Sequence, residues 1–221
     1  MDTCAGTGRW RRVVYLDMTD PTSTCPSGWN ITGYSNRTCG RVNVESGTCD
    51  SATFPVSGGE YSRVCGMIKG YQFHTTNAFH PSHNTIDDFY VDGVSLTHGC
   101  PRQHIWTFAA GYSELYSTAS WVCPCDSSEA VQVPSFVGDD YFCESGEHVP
   151  WSYQYIFYPN DTLWDGENCL PSSSCCSLHG PPYFTKELSA PTTNDIEARI
   201  CLDDSAANDN IAIELVELYV Q

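Results

Sequence analysis

Positive charge is scarce in this sequence. Ten Lys and Arg stand against 27 Asp and Glu in 221 residues, giving a formal net charge of −17 and a pI near 4.4. A phosphate backbone would be repelled over most of such a surface, which excludes nucleic-acid binding. Long apolar runs are missing too: no window of 18 apolar residues occurs, so no membrane insertion through a helix is expected. Met1-Asp2-Thr3-Cys4 contains no apolar signal core, and the chain reads as a mature or trimmed form. Reaction signatures are equally lacking. There is no Gly-x-Ser-x-Gly elbow, no His-Glu-x-x-His, no glycine-rich phosphate loop and no Cys-x-x-Cys knuckle. The chain therefore reads as non-enzymatic. A paired-carboxylate glycosidase is the hydrolase alternative, since two acids across a cleft need no local motif.

Cysteine is abundant. Thirteen are spread over the whole chain, far more than a reduced cytosolic protein carries, and an oxidising, extracellular compartment follows. Cys4, Cys25, Cys39, Cys49, Cys65, Cys123, Cys125, Cys143, Cys169, Cys175, Cys176 and Cys201 are read as disulfide formers, with connectivity left open. The adjacent Cys175 and Cys176 are expected to reach two different partners, because a bridge between neighbours is strained. The odd total leaves at least one thiol unpaired within the chain, buried or available for a bridge between chains. Three sequons, at Asn30, Asn36 and Asn160, each lie in a polar, turn-rich stretch and fit an exported glycoprotein.

Hydrophobic residues make up 41% of the sequence and aromatics 13%, ample for a packed core. Short apolar-aromatic segments (Val13 to Leu16, Tyr61 to Ile68, Phe89 to Leu96, Ile105 to Phe108, Tyr153 to Phe157, Ile196 to Cys201) alternate with Gly, Pro, Ser, Asn and Asp clusters. That rhythm predicts an all-β, disulfide-rich, sandwich-like or jelly-roll-like domain with long loops and little helix. Near the C-terminus Ile211, Ile213 and Leu215 alternate in one phase, and Val216, Leu218 and Val220 in the other. We read this as one strand with a bulge or two buried faces, forming a terminal hairpin with Ile196 to Cys201. No repeat or linker divides residues 1–221, so one domain is expected, with two lobes meeting near 123–135.

Several segments together resemble a cysteine-rich extracellular domain of secreted and multidomain proteins from cnidarians and sponges. They are Trp10 to Pro21, Cys25-Pro-Ser-Gly-Trp29, Tyr61-Ser-Arg-Val-Cys-Gly66, Tyr90 to Gly99, Pro101 to Phe108, Cys123-Pro-Cys125, Phe136 to Gly146, Leu163-Trp-Asp-Gly166 and Pro181 to Gln221. The resemblance covers nearly the whole chain and implies an extracellular module without implying an activity. A small residue such as serine is more usual in that domain where Cys100 stands, which makes Cys100 the candidate odd or interchain cysteine.

The polar stretches hold the candidate ligand residues. Ca²⁺ wants six to eight oxygen ligands on a flexible turn. Asp161, Asp165, Glu167 and Asn168 supply such oxygens just ahead of Cys169, and Asp203, Asp204 and Asp209 form a second acidic turn, whose charge also serves solubility. No cofactor is required, and Ca²⁺ is the one ion these clusters suit. A third cluster, Asp87, Asp88 and Asp92, lies near a strand. His74, His80 and His83 read better as an exposed loop than as a metal set, since ligand histidines are usually spaced more tightly. His104 is a candidate general base with Asp88 or Asp92, or a histidine satisfied within the fold, with Arg102 paired to an acid. Trp10, Trp106 and Trp121 are assigned to the core. Trp164 and Trp151 are assigned to the surface, where an indole can stack on a sugar ring. The expected function is matrix structure, assembly or adhesion, with extracellular matrix proteins or further copies of the chain as partners. Ca²⁺-dependent glycan binding and mineral association are the alternatives.

Overall fold

A computed structural model describes residues 4, 8–31, 37–42, 48–73, 89–113, 135–144, 183–202 and 210–221. Among these the chain forms eleven strands and no helix: β1 (Arg11–Asp17), β2 (Asn30–Ile31), β3 (Cys39–Gly40), β4 (Cys49–Phe54), β5 (Tyr61–Phe73), β6 (Phe89–His98), β7 (Gln103–Ser113), β8 (Tyr141–Glu144), β9 (Phe184–Thr192), β10 (Ile196–Leu202) and β11 (Asn210–Val220). The all-β expectation holds. The segments Tyr153 to Phe157 and 123–134 lie outside the described residues.

Two sheets share one core. The six-stranded sheet runs β2-β3-β11-β5-β9, with β1 also paired to β11, and the five-stranded sheet runs β4-β10-β6-β7-β8. All pairings are antiparallel except β7 with β8. Alternation along each strand sends one set of apolar residues inward. Val14, Leu16, Val64, Ile68, Val216, Leu218 and Val220 of the first sheet belong to the same buried cluster as Val94, Leu96, Phe108, Ile196, Ala198 and Ile200 of the second.

Trp106 of β7 stacks on Phe184 of β9 across the two sheets, with ring centroids 4.4 Å apart and planes 11° from parallel. Phe108 then meets Trp106 edge-on at 5.6 Å and Phe142 at 5.1 Å, continuing the aromatic file. Gly66 makes room at one end of it. A Cβ there would lie 2.4 Å from Leu218 Cδ2, 2.5 Å from the Glu217 carbonyl oxygen and 3.2 Å from Phe184.

The phase change in β11 is a bulge. Ile213 pairs with Gly70 and Leu215 with Lys69, so Glu214 is the extra residue. Ile211 and Ile213 before it, and Val216, Leu218 and Val220 after it, are all buried, while Leu215 turns part-way outward. Glu214 is itself buried, and its carboxylate meets Lys69 Nζ at 2.5 Å.

The expected hairpin of the last two strands does not form. β10 lies between β4 and β6 in one sheet, and β11 sits among β1, β3 and β5 in the other. Both strands carry an apolar face, and placement in opposite sheets lets these faces meet across the core instead of lying side by side.

Three bridges join described residues: Cys4–Cys65, Cys25–Cys39 and Cys49–Cys201, spanning 61, 14 and 152 residues. Cys49 and Cys201 face each other directly on β4 and β10. Cys100 is an exposed free thiol in the turn between β6 and β7. Cys143 lies on β8, and Cys123, Cys125, Cys169, Cys175 and Cys176 fall outside the described residues. No helix among the described residues is long and apolar enough to cross a membrane.

Candidate functional site

The outward face of the six-stranded sheet gathers the polar and aromatic side chains that the core rejects. In β1, burying Val14 and Leu16 leaves Tyr15 and Asp17 outside. In β11, burying Val216 and Leu218 leaves Glu217 and Tyr219 outside. Pairing aligns them in rows, since Tyr15 lies opposite Glu217 and Glu217 opposite Met67, while Arg12 lies opposite Tyr219 and Tyr219 opposite Cys65.

Glu217 is the hub. Tyr219 donates its hydroxyl to Glu217 Oε1, and Arg12 Nη1 stands 3.8 Å from the same oxygen. Tyr183, just before β9 and two strands away, donates to Glu217 Oε2 at 2.9 Å, so its ring crosses over β5. Tyr15 is 54% exposed, donates to Asp17 Oδ2 at 3.1 Å and carries the Arg12 guanidinium 4.6 Å from its ring centre. Burial, and then the hydrogen bond to the Glu217 carboxylate, push the Tyr183 phenol up to about 12. Tyr219 is raised chiefly by the same carboxylate, and Tyr15 by its bond to Asp17. All three phenols thus stay protonated donors at neutral pH.

The second sheet carries a polar network on its outer face. Arg102 Nε and Nη2 donate to Glu197 Oε2 and Oε1 at 2.6 and 3.0 Å, and the Thr97 hydroxyl joins Oε2 at 3.0 Å. The Arg102 hydrogen bond is the main cause holding the Glu197 carboxyl near 2. The expected pairing of Arg102 with an acid is therefore present. Next to this pair, Arg199 Nη2 donates to the Ser95 hydroxyl at 3.1 Å, while Arg199 Nε is buried without a partner.

His104 takes the satisfied role. Its Nε2 stands 2.8 Å from the Thr107 hydroxyl, which in turn donates to the Phe136 carbonyl at 3.2 Å. Burial lowers its pKa. Gly138 closes over the ring: a Cβ at that position would lie 2.6 Å from it, and its φ is +69°. The general-base pairing with Asp92 fails on register. His104 lies opposite Thr97, and Asp92 is five residues further along β6, about 17 Å at the rise of a strand. Asp88 is outside the described residues.

Most sequence-predicted ligand residues also fall outside the described residues: Asp161, Asp165, Glu167, Asn168, Asp203, Asp204, Asp209, Trp164, Trp151, Asn36 and Asn160, with Asp87, His74, His80 and His83. Asn30 is described, and is exposed on β2. Among the described residues no group of three or more His, Cys, Asp or Glu is placed to hold a metal. Trp106 is in the core as expected, while Trp10 is half-buried with the Arg63 guanidinium 5.1 Å from its ring.

Sequence reasoning missed the tyrosine face. The alternation Val14-Tyr15-Leu16-Asp17 gave half of the signal. The row that joins it to Glu217 depends on pairing between residues some 200 positions apart.

Comparisons with protein-family models, with curated proteins and with solved structures return no match.

Proposed function

We propose that the chain is a secreted, non-enzymatic extracellular module that acts by binding, in matrix structure, assembly or adhesion. The observation that carries this reading is the outward face of the six-stranded sheet, where Arg12, Tyr15, Tyr183, Glu217 and Tyr219 are held in rows on a sheet tied by Cys4–Cys65. Rigid aromatic donors with few rotatable bonds lose little entropy when a partner docks, which suits a binding surface. Three disulfides support export to an oxidising compartment, and so does the resemblance to the cysteine-rich extracellular domain. Cys100, exposed at a turn, supplies a thiol for linkage between copies. Glycosylation at Asn30 and Ca²⁺ at the acidic sequence stretches 161–168 and 203–209 belong to the same proposal.

The test combines intact mass with and without reductant, light scattering in Ca²⁺ and in chelator, and retention of purified collagen, laminin and mucin by the immobilised protein. A reducible oligomer abolished by Cys100→Ser, or retention of one of these matrix proteins, supports the reading. A monomer under every condition that retains none of them overturns it.

A further inference from the structure

We propose that the tyrosine face of the six-stranded sheet is a binding site for a neutral oligosaccharide, an inference that deepens the binding role proposed above and rests on it. A sugar ring offers an apolar C–H face and a rim of hydroxyls, so its site needs flat rings beside fixed acceptors and donors. This face has both. Tyr15 is half-exposed, and its hydroxyl is pinned by Asp17. Tyr183 and Tyr219 are pinned by the two oxygens of Glu217. Each ring is thus held by a carboxylate before any ligand arrives, and those carboxylates keep further lone pairs for sugar hydroxyls.

The row from Tyr183 across Met67 and Glu217 to Tyr15 crosses four strands, about 14 Å at the usual spacing. An extended chain of several sugars matches that length better than a single one.

Charge selects the class. On this face Arg12 meets Glu217 and Lys69 meets Glu214, while Arg63 bonds Gln221 and lies opposite Glu187 in register. With no cationic excess there, and −17 over the whole chain, a sulfated or uronic-acid polymer is repelled. A neutral glycan meets no such barrier. The site is built from described residues and needs no metal.

The experiment is calorimetric titration of the folded protein with cellohexaose, laminarihexaose and chitohexaose, with a heparin hexasaccharide as the anionic control, in chelator throughout. Binding of at least one neutral hexasaccharide is expected, with none of heparin. Tyr15→Ala should weaken that binding by about tenfold through the lost stacking surface, while Tyr15→Phe, which keeps the ring, stays within about threefold. Glu217→Gln should weaken it also, with unchanged urea midpoints for the Tyr15 variants separating loss of binding from loss of fold. Absence of binding to all three neutral sugars, or binding that Tyr15→Ala leaves intact, overturns the glycan assignment. Retention of a matrix protein after its enzymatic deglycosylation likewise overturns it, while leaving the broader binding role standing. An adhesion failure with sugar binding intact does the reverse.

Discussion

Trp106 and Phe184 lie face to face at 4.4 Å, one from each sheet, and form an aromatic clasp between the two layers. Both are buried, at 7% and 6% exposure. Phe184→Ala removes one ring from this clasp and opens a cavity beside Gly66, where packing is already too tight for a Cβ. The expected loss is about 3–5 kcal/mol of unfolding free energy, read from urea denaturation. Phe184→Leu should lose less.

Acid should act on Glu197. Its folded carboxyl is held near 2, below the ordinary glutamate value of 4.5, so the unfolded state takes up protons first as pH falls. The stability it supplies is full above about 4.5 and fades as pH drops toward 2. Arg102 is largely exposed, so Arg102→Met should cost only about 1 kcal/mol at neutral pH. The gap between variant and parent should then narrow between pH 5 and pH 3. A gap independent of pH would show that the pair contributes only through packing.

His104 gives a slope of the same sign at higher pH. Burial lowers its pKa below 6.5, so it stays neutral in the fold while the unfolded chain protonates. Stability is complete above about 6.5 and is lost as pH falls through the window down to the lowered folded value. His98 shifts in the same direction, also through burial. His104→Gln, which keeps a polar partner for Thr107, should reduce this slope. Melting temperatures at several values between pH 7.5 and pH 5 would measure it.

How much of this was legible in the sequence follows from the range of the interactions. The short apolar-aromatic segments are local, and they located β1, β5, β6, β7 and β10. The double phase of β11 was legible for the same reason, and Glu214 resolves it as a bulge. Sheet membership is not local. β10 and β11 follow one another in the chain, yet each finds its partners far away, at β4 and β6 or at β1, β3 and β5. The tyrosine face was hidden for that reason, because no short window contains both Tyr15 and Glu217. Arg102 was read as paired to an acid, but Glu197 stands 95 residues away and only the fold could name it.

Reduction of Cys49–Cys201 should be the most costly of the three cuts. The bridge spans 152 residues, against 61 and 14 for the others. A longer closed loop restricts the unfolded chain more, so replacing this pair by serine should cost about 2–5 kcal/mol. The Cys25–Cys39 pair should cost less. Equal losses in chemical denaturation would mean that native packing, and not loop closure, sets the contribution.

The position of β11 bears on how the protein is made. Its neighbours β1, β3 and β5 all leave the ribosome early, and they acquire their shared partner only after residues 210–220 have been synthesised. Until then the inward faces of Val14, Leu16, Val64 and Ile68 lack the strand that joins them. The six-stranded sheet therefore completes after translation of its last element, through contacts of long sequence separation that fold slowly. Nascent chains halted before residue 210 should engage holdase chaperones, and release should coincide with synthesis of the final strand.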